Sequence, residues 1–233
     1  MSYDLILTEG HVVDPTNKVN GMMDIAIKDG KIAAVSTDLS TAECKHLISA
    51  KGFYVTPGLI DIHVHVYGGY SGWMFPDVHA FSNGVTTVVD TGGAGWKSFE
   101  EFRQTIIAQS ETRVLAFLNI VGAGMLGAVE QDVSEMEPVP CAKMVEKYPE
   151  HIIGIKTAHF GGTGWEAVDA AIEAGKLSRK PVMIDFWPGP TRPYPELILN
   201  RMRPGDIHTH VYAKHIPTLD ERGNVAEYML KAR

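Results

Sequence analysis

Short apolar runs separated by turn residues make up the first part of the chain. The runs 5–7, 12–13, 24–27 and 31–35 are divided by Gly10, by Asn20-Gly21 and by Asp29-Gly30. Asp-Gly between two apolar runs is a strong signal for a tight β-hairpin. The pattern predicts a small antiparallel unit of about four strands within residues 1–53.

From residue 54 onwards, apolar runs of strand length alternate with longer segments of helical period, which is typical of a parallel sheet with crossover helices. The predicted strands are 54–65, 86–91, 113–121, 152–158, 181–187 and 206–212, and the predicted helices lie near 75–83, 98–110, 140–149, 164–179, 194–202 and 224–233. We therefore predict an α/β domain over residues 54–233 with about six strand-helix units, whereas a complete (β/α)₈ barrel has about eight.

The last predicted helix reaches the end of the sequence without a stop signal, so we expect the chain to be a fragment of a longer protein. In an incomplete barrel the outer strands lack partners, and unpaired strand edges favour association. We accordingly expect the chain to form homo-oligomers.

Charge and composition narrow the range of partners. The formal net charge is -7 and no basic run occurs, which argues against nucleic acid and anionic membranes as partners. No secretory signal and no apolar stretch of about 18 residues is found, so we expect a cytoplasmic protein with a small-molecule partner. Cys44 and Cys141 are far apart and predict neither a disulfide nor a cysteine-based zinc site.

A pair of histidines ends the first strand of the second domain. His63 and His65 are two residues apart, so in a strand both imidazoles lie on the same face. Imidazole nitrogen is a preferred ligand of zinc and similar ions. The pair alone is a weak signal, because structural histidines show the same spacing.

Polar residues also end three later strands. Lys156 ends the fourth, Asp185 the fifth, and His208 and His210 the sixth, where they are expected to form a second same-face pair. The carboxyl ends of barrel strands line the catalytic mouth, and buried charges need a partner or a metal. The sequence thus predicts a polar cluster at this end of the sheet.

Three segments resemble the amidohydrolase superfamily and, within it, the dihydroorotase-like deacetylase branch of metallohydrolases. They are Pro57-Gly58-Leu59-Ile60-Asp61-Ile62-His63-Val64-His65, Gly154-Ile155-Lys156 and Gly205-Asp206-Ile207-His208-Thr209-His210. The resemblance implies a TIM-like (β/α)₈ metallo-dependent hydrolase barrel beside a small β-sandwich, to which residues 1–53 contribute.

The resemblance also implies a set of metal ligands. The family's His-x-His pair corresponds to His63 and His65, its carboxylated bridging lysine to Lys156, and its strand-six histidine to His210. Where the family has a strand-five histidine, this chain has Asp185. Either the Asp185 carboxylate binds the metal, or the second metal is weak or absent. We expect one or two divalent ions, zinc first and manganese or iron as alternatives, with Lys156 carboxylated by CO₂.

Other polar residues near these positions have two interpretations each. His208 is either a residue that supports the ligands or a structural one, His159 either contacts substrate or is a solvated loop histidine, and Asp61 either orients a ligand or fills the barrel core. Asp90 and Asn119 are weaker candidates to line the cavity. The glycine-rich segment 92–95 lacks the features of a phosphate-binding loop and is expected to be a flexible loop after strand two.

The activity that the resemblance implies is hydrolysis of a carbon-nitrogen bond in a small-molecule amide or cyclic amide by metal-activated hydroxide. The family's general-base aspartate lies on strand eight, and no residue of this chain matches it. Two alternatives stay open. The first is a chain without catalytic activity, either a scaffold like the dihydropyrimidinase-related proteins or an inactive fragment. The second is a hydrolase of the lactonase or phosphotriesterase type.

Overall fold

A computed structural model describes residues 2–68 and 73–232 of the chain. The chain divides into two compact units, the first ending at Leu59 and the second beginning at Ile60. No helix in the described part of the chain is long and apolar enough to cross a membrane.

The first unit is one mixed β-sheet. Its strands are β1 (Tyr3–Asp14), β2 (Val19–Lys28), β3 (Lys31–Ser36), β4 (Cys44–Ser49) and β5 (Tyr54–Val55). They are ordered β3-β2-β1-β4, with β5 also on β1. The β2–β3 hairpin turns at Asp29 and Gly30, both with positive φ, as the Asp-Gly pair predicts.

The predicted antiparallel unit was only partly right, because runs 5–7 and 12–13 both lie in β1 and no predicted run covers β4. β1, β2 and β3 pair antiparallel, but β4 and β5 run parallel to β1. After β3 the chain does not turn back on itself. Residues 37–43 carry it across to the free edge of the 12-residue β1, where β4 pairs in the same direction as β1.

The second unit contains a six-stranded sheet whose strands follow one another in chain order. These strands are β6 (Leu59–Val64), β7 (Val85–Gly95), β8 (Arg113–Asn119), β9 (Ile152–Thr157), β10 (Val182–Ile184) and β11 (Ile207–His208). The pairs from β7 to β11 are parallel. The sheet curls into part of a (β/α) barrel, so the predicted fold class is confirmed.

Helices between the strands cover this sheet. They are α1 (Pro76–Ala80), α2 (Phe99–Phe102), α3 (Pro138–Lys147), α4 (Glu166–Ser178), α5 (Tyr194–Glu196) and α6 (Glu227–Lys231). α2 and α5 continue into π-helical turns at Arg103–Ile107 and Leu197–Arg201. All six predicted helices are present, although several are shorter than their apolar period suggested.

The sheet packs apolar residues on both of its faces. One face joins the helices in the main core, which includes Leu118, Ile155 and Ile184, while Val89, Phe117 and Met183 form a smaller cluster. The ring of Phe117 lies over Gly154, where a Cβ atom would be 2.2 Å from Phe117 Cε1.

Both cysteines are free thiols. Cys44 lies in β4 and is partly exposed, whereas Cys141 lies in α3 and is fully buried. Burial raises the pKa of the Cys141 thiol. The structure therefore has no disulfide, in agreement with the sequence.

Candidate metal centre

The carboxyl ends of four strands bring the predicted donor residues together. His63 is the penultimate residue of β6, Lys156 that of β9, and Asp185 directly follows β10. The His63 ring lies 5.5 Å from that of His65 and 4.9 Å from that of His210, centroid to centroid. His210 Nε2 lies 3.7 Å from Asp185 Oδ2. The sequence therefore predicted the position of the cluster, while the role of each residue stays a prediction.

The sixth strand is shorter than predicted, and this changes the second histidine pair. β11 ends at His208, and His210 has a left-handed backbone with φ of 57°. The Thr209 amide donates to the Ile184 carbonyl, and the chain then turns so that the Ala213 amide bonds to the His210 carbonyl. Strand alternation thus stops before His210, and the expected same-face pair in one regular strand was wrong.

His208 occupies a partly buried position beside Tyr194. The two rings meet edge to face at 5.1 Å, and both ring nitrogens of His208 are buried without a hydrogen-bond partner. Burial lowers the pKa of His208 to about 4, so its imidazole is neutral at physiological pH.

His63 in β6 and His65 directly after that strand are also held in the neutral form. Burial, with the nearby Lys156 as the next cause, lowers the pKa of His63 and of His65 to about 4. His63 Nδ1 shares a hydrogen bond of 2.7 Å with the Thr209 hydroxyl, which leaves Nε2 for another partner. His65 Nδ1 is buried without one. Neutral imidazole is the form that binds a metal ion.

Lys156 is a buried amine with no hydrogen-bond partner. Its side chain is 1% exposed, and Nζ makes no hydrogen bond. Burial lowers the pKa of Lys156 to about 8, although Asp185 and Glu130 partly oppose the shift. Gly92 provides the space, since a Cβ atom there would lie 2.7 Å from Lys156 Cγ.

A second layer of polar residues fixes the backbone around the centre. Asp90 is fully buried, and its carboxylate accepts hydrogen bonds from the amides of Val66, Tyr67 and Gly93. Asn119 is equally buried and bonds the Gly92 carbonyl and the Val121 amide.

Two expectations about these neighbours are corrected. Asp90 and Asn119 hold main-chain groups instead of lining a cavity, because their polar atoms bond to the backbone. Residues 92–95 are not a loop but the end of β7. The Asp61 carboxylate accepts from the backbone amide of His63 at 3.1 Å, and its role stays a prediction.

Glu130 is a part of the site that the sequence did not reveal. It is 1% exposed and lies in a short 3-10 helix, Gly127–Gln131, where no motif distinguishes it from surface glutamates. One carboxylate oxygen accepts from the Gly127 amide at 2.9 Å, and the other lies 2.9 Å from His159 Nδ1. This contact raises the pKa of His159.

A cavity of about 460 Å³ opens beside these residues. Aromatic rings and polar donors share its wall, which consists of His159, Phe160, Asp185, Phe186, Trp187, His210, Ala213 and His215. The cavity thus combines an apolar surface with the donor cluster, an arrangement typical of small-molecule sites.

Known proteins resemble the chain in sequence and in fold. No protein-family profile matches the chain. A deacetylase of Agrobacterium fabrum is 34% identical over 193 residues, which are 79% of this chain and 47% of the relative. A solved adenine deaminase superposes with a TM-score of 0.84 at 29% identity, over 99% of this chain and 63% of that one. A solved dihydroorotase gives 0.78 at 28% identity, over 98% and 62%. The chain belongs to the amidohydrolase superfamily.

The chain spans about half the length of the curated superfamily members it matches. The similarity in sequence therefore concerns only part of those proteins.

The donor set fits the divalent metal that the superfamily implies, although not through histidines and carboxylates alone. In residues 2–68 and 73–232, no three His, Cys, Asp or Glu side chains are arranged to hold a metal ion. Lys156 lies outside these residue types, and carboxylation would convert it to an anionic oxygen donor. The buried and unbonded Lys156 Nζ and His65 Nδ1 would otherwise each cost about 1–3 kcal/mol. A divalent metal bound here would give the His65 ring nitrogen a partner.

Proposed function

We propose that the protein is a metal-dependent hydrolase of carbon-nitrogen bonds in small amides or cyclic amides, of the deacetylase or dihydroorotase type. The observation that carries this proposal is the buried Lys156 amine without a hydrogen-bond partner, close enough to His63, His65 and Asp185 to interact with their charges. His210 lies beside Asp185. Names of similar proteins support the bond type, since deacetylases and dihydroorotases are among them.

His63 and His65 would hold one ion, Asp185 and His210 would hold a second, and carboxylated Lys156 would contribute oxygen donors. Bound zinc, manganese or iron would supply Lewis acidity and lower the pKa of water to near neutrality. Lys156 is prepared for carboxylation because burial lowers its pKa to about 8, which increases the fraction of unprotonated amine near neutral pH. That amine adds CO₂ and releases one proton.

The remaining residues have binding and orienting tasks. Thr209 holds the His63 ring through Nδ1, so that Nε2 is left to bind the metal. Asp90 fixes the backbone directly after His65. Phe160, Phe186 and Trp187 provide the apolar wall against which the acyl or ring substituent of an amide would pack.

The test is metal content together with hydrolysis. Protein purified from medium with zinc, manganese or iron should contain at least one equivalent of metal by mass spectrometry, and the double variant His63→Ala/His65→Ala should contain less. His46→Ala, an exposed histidine of β4, is the matched control. Release of amine from N-acyl amino acids or cyclic ureides would support the bond type, whereas turnover of lactones alone would contradict it.

A non-catalytic scaffold is the second candidate function, and Asp185 in place of the family's histidine favours it. This hypothesis predicts that the wild-type protein contains less than one equivalent of metal and hydrolyses no amide. The two candidates therefore give opposite results in the same experiment.

Self-association is a separate proposal. β6 is an outer strand of the six-stranded sheet, and its Leu59, Ile60 and Ile62 are 52%, 61% and 53% exposed. We propose that the chain forms homo-oligomers through this strand, because apolar side chains on an open edge favour pairing. A monomer in light scattering at micromolar concentration would contradict the proposal.

A further inference from the structure

The aspartate on strand five leaves the proposed centre one nitrogen donor short. Asp185 directly follows β10, and His210 Nε2 is 3.7 Å from its Oδ2. Zinc sites in proteins commonly include several imidazoles, and a carboxylate in place of one adds negative charge. A neighbouring imidazole would restore the usual number of nitrogen donors.

His159 lies at that place, although it comes from a different element. It follows β9 by two residues, and its Nε2 lies 4.0 Å from Asp185 Oδ2. Two ligands with metal bonds of about 2.0–2.2 Å stand no more than about 4.4 Å apart. The pairs His159–Asp185 and His210–Asp185 both fall within this limit.

Glu130 holds His159 in the manner of a metal-binding histidine. Its buried carboxylate lies 2.9 Å from His159 Nδ1, on the side of the ring away from Asp185. Ligand histidines usually donate their second ring N–H to a carboxylate or carbonyl, which fixes the tautomer and leaves the other nitrogen for the metal. The Glu130 contact therefore selects Nε2 as the free donor.

The backbone is also specialised at this position. His159 has φ of 55°, in the left-handed region that residues other than glycine rarely adopt, and His210 has φ of 57°. The Gln131 side chain donates to the His159 carbonyl at 2.7 Å and accepts from the Gly161 amide at 2.8 Å. Such backbone positions cluster at functional sites when the surroundings enforce them.

Given the proposed function, on which this inference rests, we propose that His159 is a metal ligand that replaces the missing strand-five histidine, with Glu130 as its positioning residue. The donor has moved from the end of β10 to the loop after β9, and Asp185 occupies the position it left. The ion between Asp185 and His210 would thus gain an imidazole, with carboxylated Lys156 as a further donor, because the His, Asp and Glu side chains of the described residues are not arranged to hold a metal by themselves.

Cobalt titration followed by visible absorption and metal content tests the assignment. His159→Ala should lose one equivalent of tightly bound metal. Glu130→Gln, which keeps the shape of the side chain, should weaken that equivalent by about 10–100-fold. The double variant His159→Ala/Asp185→His should regain it, because the imidazole returns to strand five. His46→Ala should behave as wild type.

Nitrogen NMR on histidine-labelled protein gives a readout independent of variant folding. Metal added to the wild type should shift the Nε2 resonance of His159 and leave its Nδ1 protonated. Unchanged metal affinity and stoichiometry in folded His159→Ala, with metal loss in His63→Ala/His65→Ala, would overturn this assignment alone. A wild type that binds no metal would overturn both this assignment and the proposed function.

Discussion

Replacement of Lys156 by methionine should stabilise the metal-free protein. Methionine has a similar length, no charge and no polar hydrogen, and Met183 is already the neighbour of Lys156 in the β9–β10 register. Burial is the main cause that lowers the Lys156 pKa from 10.5 to about 8, so the ammonium charge destabilises the folded state at neutral pH. A depression of this size corresponds to roughly 3 kcal/mol of unfolding free energy.

The pH dependence has a definite sign. Between about pH 8 and 10.5 the unfolded chain still binds the Lys156 proton and the folded chain does not, so the stability of the wild type rises with pH in this window. Lys156→Met lacks that gain. Its advantage should be about 3 kcal/mol below pH 8 and should disappear towards pH 10.5.

Urea denaturation measures this difference at a series of pH values, in CO₂-free buffer with a chelator so that Lys156 stays uncarboxylated and metal-free. Lys176→Met is the control, because that lysine is 59% exposed on α4 and should show little change at any pH. The reasoning would be refuted if Lys156→Met and wild type had the same unfolding free energy at pH 7, or if their difference stayed constant up to pH 10.5.

Two further substitutions test the supports of the centre. Asp90→Asn should lower the unfolding free energy by about 2–5 kcal/mol, because one oxygen cannot serve the three amides of Val66, Tyr67 and Gly93. Asp220→Asn is the control and should cost under about 1 kcal/mol, because its carboxylate accepts from the amides of two exposed residues, Arg222 and Asn224, which can turn to water. Equal losses in the two variants would argue against the idea. Gly154→Ala should cost about 1–3 kcal/mol or more in urea denaturation, since its Cβ would lie 2.2 Å from the Phe117 ring and 2.8 Å from the Pro181 carbonyl oxygen. A loss below about 0.5 kcal/mol, the usual size of the effect of a surface substitution, would contradict this expectation.

The sequence predicted the second domain well because its signals are local and repeated. Each barrel strand is a short apolar run, and each run ends where a polar residue such as Lys156 or Asp185 follows. Parallel strands bring those ends to one edge of the sheet without any need to know the loops. The position of the cluster therefore follows from the pattern alone.

The details that failed depend on contacts between distant segments. The direction of β4 depends on the free edge of β1, and the early end of β11 depends on the turn at His210. Glu130 is 29 residues from His159 in the chain, and nothing in its surroundings marks it as buried. Its role becomes visible only when the loop after β8 and the loop after β9 are placed together.

The two cysteines have a practical consequence, since each unit of the chain contains one thiol. Cys44 is partly exposed, whereas Cys141 is fully buried and its pKa is raised, so an alkylating reagent should reach Cys141 only when the second unit opens. The alkylation rate of Cys141 then reports the opening equilibrium of the barrel unit, and Cys44 reports on the sheet unit within the same sample. Mass spectrometry of labelled peptides would thereby follow the two units separately during metal loading, without any added probe.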